Sequence, residues 1–166
     1  NLVVRDSNKV PLGPVDLYRS IVKSSDVYYY QLANDLGVDT IHDFMKPWGF
    51  GQITGVDVEG EQTGILPSSA WKEKRFKQKW YPGETISVGI GQGYNAFTLL
   101  QLAHATATLA NDGVVLKPHL VKSVEDAITG EQRPTVPKES YRIPVKPEHL
   151  RIVREAMVDV NISGTG

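Results

Sequence analysis

A hydroxyl and a carboxylate lie two residues apart near the start of the chain, in the segment Ser24-Ser25-Asp26. Side chains at positions i and i+2 of a helix point in different directions. We predict that Ser24 and Asp26 lie instead in the joint between two helices, where both side chains can face one cavity. A serine and an aspartate before a helix are more often capping residues, so the pattern alone leaves both interpretations open. Three consecutive tyrosines, 28–30, follow after Val27, which is typical of a helix with one buried face and another that lines a cleft.

A glycine-rich segment over residues 86–98 is the second candidate, because such a segment before a helix often cradles phosphate. Its glycines at 89, 91 and 93 alternate, whereas the dinucleotide-binding fingerprint requires a glycine where Tyr94 stands. A P-loop lysine is absent as well. We therefore interpret these glycines as positions of close backbone packing and disfavour nucleotide binding.

A basic run interleaved with aromatic residues lies between Trp71 and Trp80. Its cations are Lys72, Lys74, Arg75, Lys77 and Lys79. We interpret the run as a solvated face with aromatic anchors. A site for an acidic ligand, such as a peptide, is the alternative.

Hydrophobic periodicity and capping residues predict the elements that position these segments. After an extended lead-in over residues 1–14, we predict helices over about 15–23, 27–36, 40–46, 69–76, 99–110 and 147–160, with Asp26 as the N-cap of the second. The predicted strands cover 114–121 and, inside a glycine-rich loop over 49–66, 55–58, and a hairpin turn is predicted at 128–131. Few strands and long connections indicate either functional loops or a missing part of the fold.

The amino-acid composition excludes some classes of function for this chain. The 166 residues are 40% hydrophobic and 22% charged, which is typical of one globular domain. The net charge of −1 gives no electrostatic support for nucleic-acid binding. The lack of cysteine excludes a disulfide scaffold and a cysteine nucleophile. A start at Asn1 and an end in a Ser-Gly-Thr-Gly stretch lead us to expect an internal fragment.

A collinear series of motifs runs through about residues 5–160. It comprises S-x-D at 24–26 with the tyrosine-rich segment 28–33, W-G-F-G at 48–51, G-V-D at 55–57, W-K-x-K-R-F at 71–76, W-Y-P-G-E-T at 80–85, V-G-I-G-Q-G-Y at 88–94, N-D-G at 111–113 and P-H-L at 118–120. The series resembles the transpeptidase domain of class B penicillin-binding proteins, especially the penicillin-binding protein 2 group. The resemblance implies an α+β fold, namely the helix-rich portion of the penicillin-binding transpeptidase (serine β-lactamase-like) fold, with most of the central antiparallel sheet outside residues 1–166.

The resemblance also implies a chemistry. The family cross-links bacterial cell-wall peptides with three motifs around one cleft: S-x-x-K, S-x-N or S-x-D, and K-T-G or K-S-G. The serine of the first motif attacks a D-Ala–D-Ala carbonyl, its lysine takes the proton, and β-lactams acylate the same serine. The second motif matches Ser24-Ser25-Asp26. By resemblance, Ser24 relays a proton to the leaving amine, and Asp26 holds the catalytic ammonium or a substrate amide, since a carboxylate only accepts hydrogen bonds.

The nucleophile is expected outside the chain. Residues 20–23 and 69–72 satisfy S-x-x-K literally, but the first abuts Ser24 and the second follows it, whereas the family's nucleophile lies some tens of residues upstream. No K-T-G or K-S-G occurs. We therefore expect a partial transpeptidase domain that is inactive by itself.

No metal or other cofactor is predicted. Some relatives hold a structural zinc with Asp, His and Cys, and the matching positions here are Asp6, Leu12 and Ser25, of which leucine cannot ligate and serine is a poor ligand. The four histidines are scattered without ligand spacing: His42, His104, His119 and His149.

Partners and location follow from the resemblance alone. It implies peptidoglycan stem peptides and β-lactam antibiotics as ligands, a membrane glycan polymerase of the elongation machinery as partner, and an inner-membrane anchor with this domain in the periplasm. The competing interpretation is a non-catalytic relative that serves as an interaction or sensor module, because fold alone does not establish activity. We also expect poor stability of the isolated chain, since its helices would expose faces that normally cover a sheet.

Overall fold

The computed structural model describes residues 5–6 and 11–165. Seven α-helices occur in this part of the chain: α1 (Leu17–Val22), α2 (Asp26–Leu36), α3 (Val38–Met45), α4 (Ser69–Phe76), α5 (Pro82–Gly89), α6 (Leu99–Ala110) and α7 (Pro147–Ser163). A single 3-10 turn, Lys46–Trp48, extends α3. Four short strands complete the described elements: β1 (Val114–Leu116), β2 (Ser123–Glu125), β3 (Gln132–Pro134) and β4 (Glu139–Arg142).

The strands form two separate two-stranded antiparallel sheets, β1 with β4 and β2 with β3. In the first sheet Val114 lies opposite Arg142, and the register shifts between Val115 and Leu116. In the second, Ser123 pairs with Pro134 across a hairpin whose connection contains the predicted turn at 128–131. The chain is thus helix-rich with little sheet, and the predicted α+β class is confirmed.

Three local predictions were wrong. The segment 55–58 forms no strand, and its residues 57–58 are a bend. The Glu61 carboxylate accepts hydrogen bonds from the amides of Thr54 and Gly55, which are therefore not available to a neighbouring strand. The strand at 114–121 ends at Leu116. Helix α5 was not predicted at all, although Pro82 at its start and a capping-box glutamate, Glu84, are the usual signals of a helix N-terminus. Of the predicted lead-in, residues 1–4 and 7–10 lie outside the described part.

A compact apolar cluster fixes the glycine-rich loop against α6. Phe50, Leu66 and Ala105 are buried together, and the rings of Phe50 and Phe97 lie 4.5 Å apart. The side chain of Gln101 on α6 is fully buried beside this cluster.

The Gln101 amide holds the loop through several backbone groups. Its nitrogen donates to the carbonyls of Gln52 at 2.6 Å and Thr63 at 2.7 Å. Its oxygen accepts from the amide of Thr98 at 3.1 Å, which closes the capping box of α6. Because buried polar groups are costly unless they are hydrogen-bonded, these bonds give the irregular loop a defined path.

The backbones of α2 and α5 approach closely at Gly89. A Cβ atom at Gly89 would lie 2.4 Å from the Cβ of Ala33 and 2.9 Å from the carbonyl oxygen of Tyr29. Ala33 and Val88 are both buried at this contact. Only glycine permits this distance, so α5 fixes the axis of α2, and with it the N-terminus of α2 where Asp26 lies.

We predict that Gly89→Ala destabilises the chain by about 1–3 kcal/mol, because the added methyl group overpacks the α2–α5 contact. The urea midpoint of unfolding measures the effect. The matched control is Gly83→Ala in the same helix, where an added Cβ meets nothing within 4 Å; this variant should gain up to about 1 kcal/mol from helix propensity. Equal effects of the two alanines would contradict the assigned close contact.

Candidate functional site

Ser24 directly follows the C-cap of α1, and its backbone adopts a left-handed conformation. Its φ is +50°. Its amide donates to the carbonyl of Ile21 at 3.2 Å, and the next amide, of Ser25, donates to the carbonyl of Ser20 at 2.9 Å. This pair of bonds is the Schellman motif, whose left-handed position is usually glycine. A serine there carries a conformational cost, which Ser24 shares with Lys77 and Asp112, the other non-glycine residues with positive φ in the described part of the chain.

Ser25 begins α2 one residue later. Its hydroxyl accepts a hydrogen bond from the amide of Tyr28, so Ser25 is the N-cap of the helix. The prediction that Asp26 caps α2 was wrong, since Asp26 is the first helical residue. An anionic side chain at this place is favoured by the positive end of the helix dipole. The predicted joint between two helices covers Lys23–Ser25 and contains Ser24, whereas Asp26 is the first residue of α2 and lies outside it.

The two predicted site residues have different surroundings. The Ser24 side chain is exposed, and its hydroxyl oxygen lies 2.7 Å from that of Thr165, just beyond the end of α7. Asp26 is half-buried in the first turn of α2. That both side chains face one catalytic cleft stays a prediction.

A groove of about 590 Å³ opens on the side of the joint where Ser25 lies. Leu12, Ser25, Tyr28 and Gln31 are among its lining residues, whereas Ser24 and Asp26 are not. The groove is therefore a neighbour of the motif and does not itself unite the two predicted residues.

The positions that match a zinc site in some relatives do not fit a zinc ion here. The Asp6 carboxylate accepts hydrogen bonds from the Ser25 hydroxyl at 3.2 Å and from the Val27 amide at 3.0 Å, so it binds the start of α2 directly. Leu12 offers no donor atom, and the Ser25 hydroxyl already caps the helix. Within residues 5–6 and 11–165, no group of three or more His, Cys, Asp or Glu side chains is arranged to hold a metal ion.

Tyr29 links α2 back to α1. Its hydroxyl lies 3.1 Å from the hydroxyl of Ser20, which is completely buried. Burial raises the pKa of the Tyr29 phenol above its ordinary value, and the Ser20 contact offsets only part of that effect. Ser20 therefore has a packing role, which is consistent with rejecting residues 20–23 as a nucleophile motif.

Lys72 is buried, contrary to its interpretation as part of a solvated basic run. Only 1% of the residue is exposed, and its ammonium group forms an ion pair with the Glu84 carboxylate. Three aromatic rings surround the ammonium, with centroids 4.6 Å away for Tyr81 and 5.7 Å for both Trp80 and Tyr94. Cation–π attraction and the ion pair together compensate for the lost hydration.

Glu84 joins this cluster to the N-terminus of α5. Its second carboxylate oxygen accepts from the Tyr81 amide at 2.9 Å, which satisfies the backbone donor at the N-cap of α5. Burial alone would raise the pKa of Glu84, but the hydrogen bonds from Lys72 and the Tyr81 amide, together with the Lys72 charge, hold that pKa below its ordinary value. The pair thus ties α4 to α5, which in turn packs on α2. The other four cations of the run, Lys74, Arg75, Lys77 and Lys79, are exposed.

In the second S-x-x-K pattern, residues 69–72, the serine and the lysine also have structural partners. The Ser69 hydroxyl and amide both donate to the Asp39 carboxylate, at 2.6 and 2.8 Å. These two bonds lower the pKa of Asp39. Lys72 is paired with Glu84. Residues 69–72 therefore do not form a serine activated by a neighbouring amine.

Three of the histidines contact backbone carbonyl oxygens. His42 lies 3.2 Å from the oxygen of Leu66, His104 lies 2.8 Å from that of Leu116, and His119 lies 3.0 Å from that of Val121. These contacts are structural. Among the described helices, none is long and apolar enough to cross a bilayer.

Comparison with known proteins gives a consistent result. Residues 3–166 match the family described as the penicillin-binding protein transpeptidase domain. The chain is 43% identical over 162 residues to the peptidoglycan D,D-transpeptidase MrdA of Acinetobacter baumannii, which covers 98% of the chain and 24% of that protein. It is similar in structure to Pseudomonas aeruginosa PBP2 in complex with WCK 5153, with a TM-score of 0.77, 39% identity and coverage of 92% of this chain and 32% of that one.

A second similar structure is a peptidoglycan synthase complex, described in terms of the structural coordination of polymerization and crosslinking. The TM-score is 0.78 at 33% identity, over 93% of this chain and 25% of that one. The chain spans about a fifth to a quarter of the length of the curated relatives it matches.

We predict that Glu84→Gln costs about 3–5 kcal/mol of unfolding free energy, because it leaves the buried Lys72 charge without its partner. The double variant Lys72→Met with Glu84→Gln should recover part of this loss. The matched control Lys74→Met, at an exposed position of the same helix, should change stability by less than about 0.5 kcal/mol. Urea unfolding measures all three.

The Lys72–Glu84 pair also predicts how the unfolding free energy changes in acid. The folded pKa of Glu84 lies below its ordinary value of 4.5, so its contribution is fully present above that pH and is lost as the pH falls through the folded pKa. Unfolding free energies measured between about pH 6 and pH 3 should fall less steeply for Glu84→Gln than for the unaltered chain. Parallel pH curves would contradict the ion-pair assignment.

Proposed function

Because the chain belongs to the penicillin-binding protein transpeptidase family, we propose that it is the part of a peptidoglycan D,D-transpeptidase that carries the second catalytic motif, Ser24-Ser25-Asp26. The complete enzyme cross-links cell-wall stem peptides through a serine acyl-enzyme. The segment is of the penicillin-binding protein 2 type, as its similarity to MrdA and PBP2 proteins supports.

Ser24 has the role of a proton relay. Its hydroxyl passes a proton toward the leaving amine when the nucleophilic serine is acylated, and a hydroxyl suits this role because it both donates and accepts. The observation that carries the proposal is the position of Ser24 in the second motif, within a chain that matches the transpeptidase family over residues 3–166. Its left-handed backbone, φ +50°, places the hydroxyl at an exposed position directly after α1.

In this proposal Asp26 supplies a fixed negative charge to the catalytic cleft. A carboxylate accepts hydrogen bonds and cannot donate them at neutral pH, so its partner is the catalytic ammonium or an N–H group of the substrate. The N-terminus of α2 stabilises the charge, and the α2–α5 packing holds that N-terminus in place.

The nucleophile belongs to a segment outside these 166 residues. Both serines of the literal S-x-x-K patterns have structural partners, Ser20 in the Tyr29 contact and Ser69 in the Asp39 contact. The isolated chain is therefore inactive under this proposal.

The ligands and partners follow from the same assignment. The complete protein binds stem peptides and is acylated by β-lactams. It acts with a membrane glycan polymerase, as the similar peptidoglycan synthase complex supports, and it is anchored in the inner membrane with this domain in the periplasm.

We predict that a fluorescent penicillin labels the complete protein covalently and does not label the isolated chain. Ser24→Gly in the complete protein should lower the rate of labelling at least about tenfold, since a relay in general acid–base catalysis contributes typically 10²–10⁴-fold. The same variant should raise the unfolding free energy by up to about 1 kcal/mol, because glycine adopts the left-handed backbone without strain.

Opposite changes in labelling and stability would separate a chemical role from a structural one. Ser24→Ala is the companion variant, which lacks the hydroxyl and keeps the strain; it should lose labelling to the same extent without gaining stability. Labelling of the isolated chain, or full labelling of Ser24→Gly, would contradict the proposed roles. A complete protein that folds and takes no label would favour a non-catalytic module.

A further inference from the structure

The end of α7 lies on the joint that carries Ser24. The Tyr18 hydroxyl on α1 donates to the Asp159 carboxylate on α7 at 2.7 Å, and the hydrogen bond and the burial of the phenol raise the pKa of Tyr18. The Lys23 ammonium donates to the carbonyl oxygen of Ser163, the last residue of α7. Two charged or polar side chains of α1 and its cap thus hold the same end of α7.

Gly164 permits this approach. A Cβ atom at Gly164 would lie 2.4 Å from the carbonyl oxygen of Val22, in the last turn of α1. No side chain fits between the two backbones. Because Gly164 packs against Val22, the next residue, Thr165, lies at a defined position on the surface of the joint.

Thr165 reaches the Ser24 hydroxyl there. The two side-chain oxygens are 2.7 Å apart, a normal O–H···O distance, and either can be the donor. Both residues are exposed, and an exposed serine hydroxyl otherwise samples three staggered rotamers. A second hydroxyl at hydrogen-bonding distance selects one of them.

We propose that Thr165 is a positioning residue that holds the Ser24 hydroxyl in the rotamer needed for proton relay. This inference rests on the proposed role of Ser24. A hydroxyl has one hydrogen to donate and two lone pairs to accept with. In this proposal Thr165 donates to Ser24, so Ser24 keeps its own hydrogen for the leaving amine and a second lone pair to accept a replacement proton. The contact joins residues 141 positions apart, which links the placement of α7 to the rate of acylation.

The test uses the complete protein and a fluorescent penicillin mixed rapidly over a range of concentrations. Thr165→Val removes the hydroxyl with little change in shape and should lower the limiting acylation rate about tenfold, the kinetic equivalent of one hydrogen bond. The half-saturating concentration and the melting temperature should change little. Thr165→Ser keeps the hydroxyl and should restore the rate to within about twofold.

A second pair of variants keeps the test informative whatever the stability of Thr165→Val. Adding Thr165→Val to Ser24→Gly should produce less than about a twofold further change, because Thr165 acts through the Ser24 hydroxyl. Gly164→Ala retains both hydroxyls but forces the end of α7 away from Val22, and it should also lower the limiting rate.

The outcomes separate this inference from the proposed function. No labelling of the unaltered complete protein, or unchanged labelling of Ser24→Gly, would contradict the role of Ser24 and the inference with it. A slow Ser24→Gly together with a normal Thr165→Val would overturn the Thr165 assignment alone. Equal loss in Thr165→Val and Thr165→Ser would overturn it too, since a hydroxyl contact would then not be the cause.

Discussion

The close packing of α5 on α2 at Gly89 is the constraint on which the candidate site depends. Helix α2 is short and only half-covered, and its N-terminus must be fixed if Asp26 is to meet a substrate in one geometry. Gly89 sets the distance between the two helices. The Asp6 carboxylate and the Ser20–Tyr29 contact hold the same end of α2 from other sides. A site built on a helix that is restrained in several directions is more precise than one on a free loop.

Helix α5 is in turn held by a buried charge. The Lys72–Glu84 pair gives little net stability relative to an apolar pair of the same size, but loss of one partner is costly. The arrangement therefore specifies one placement of α5 against α4. At Ser24 the backbone is strained at the position where the proposed proton relay requires a hydroxyl. Strain at the site is tolerated because the surrounding packing determines the path of the chain.

Sequence patterns predicted much of this arrangement. Periodicity identified six of the seven described helices, since their apolar faces repeat with the helical period. The spacing in Ser24-Ser25-Asp26 predicted an inter-helix joint, which contains Ser24 and Ser25 but not Asp26. Local chemistry was harder to assign, because Ser25 and Asp26 are both good caps and only the hydrogen bond to Tyr28 distinguishes them. Helix α5 was missed because glycines dominate its surroundings, although the Pro82–Glu84 signal was present.

Contacts between distant segments left no pattern in the sequence. Lys72 looks like one cation among five until Glu84 and three aromatic rings are brought around it. Thr165 is separated from Ser24 by almost the whole chain, and no local signal relates the two. Such pairings follow from the packing of complete helices, so they become visible only once α5 and α7 have been placed.

The most direct measurement is a crystal structure of the complete protein acylated by a penicillin. We expect the Ser24 hydroxyl and the Asp26 carboxylate both to line the cleft that holds the acyl group, with the hydroxyl within about 3 Å of the catalytic lysine or of the nitrogen released from the β-lactam ring. Side chains of Ser24 and Asp26 directed away from the acyl group, or covered by other parts of the protein, would contradict it.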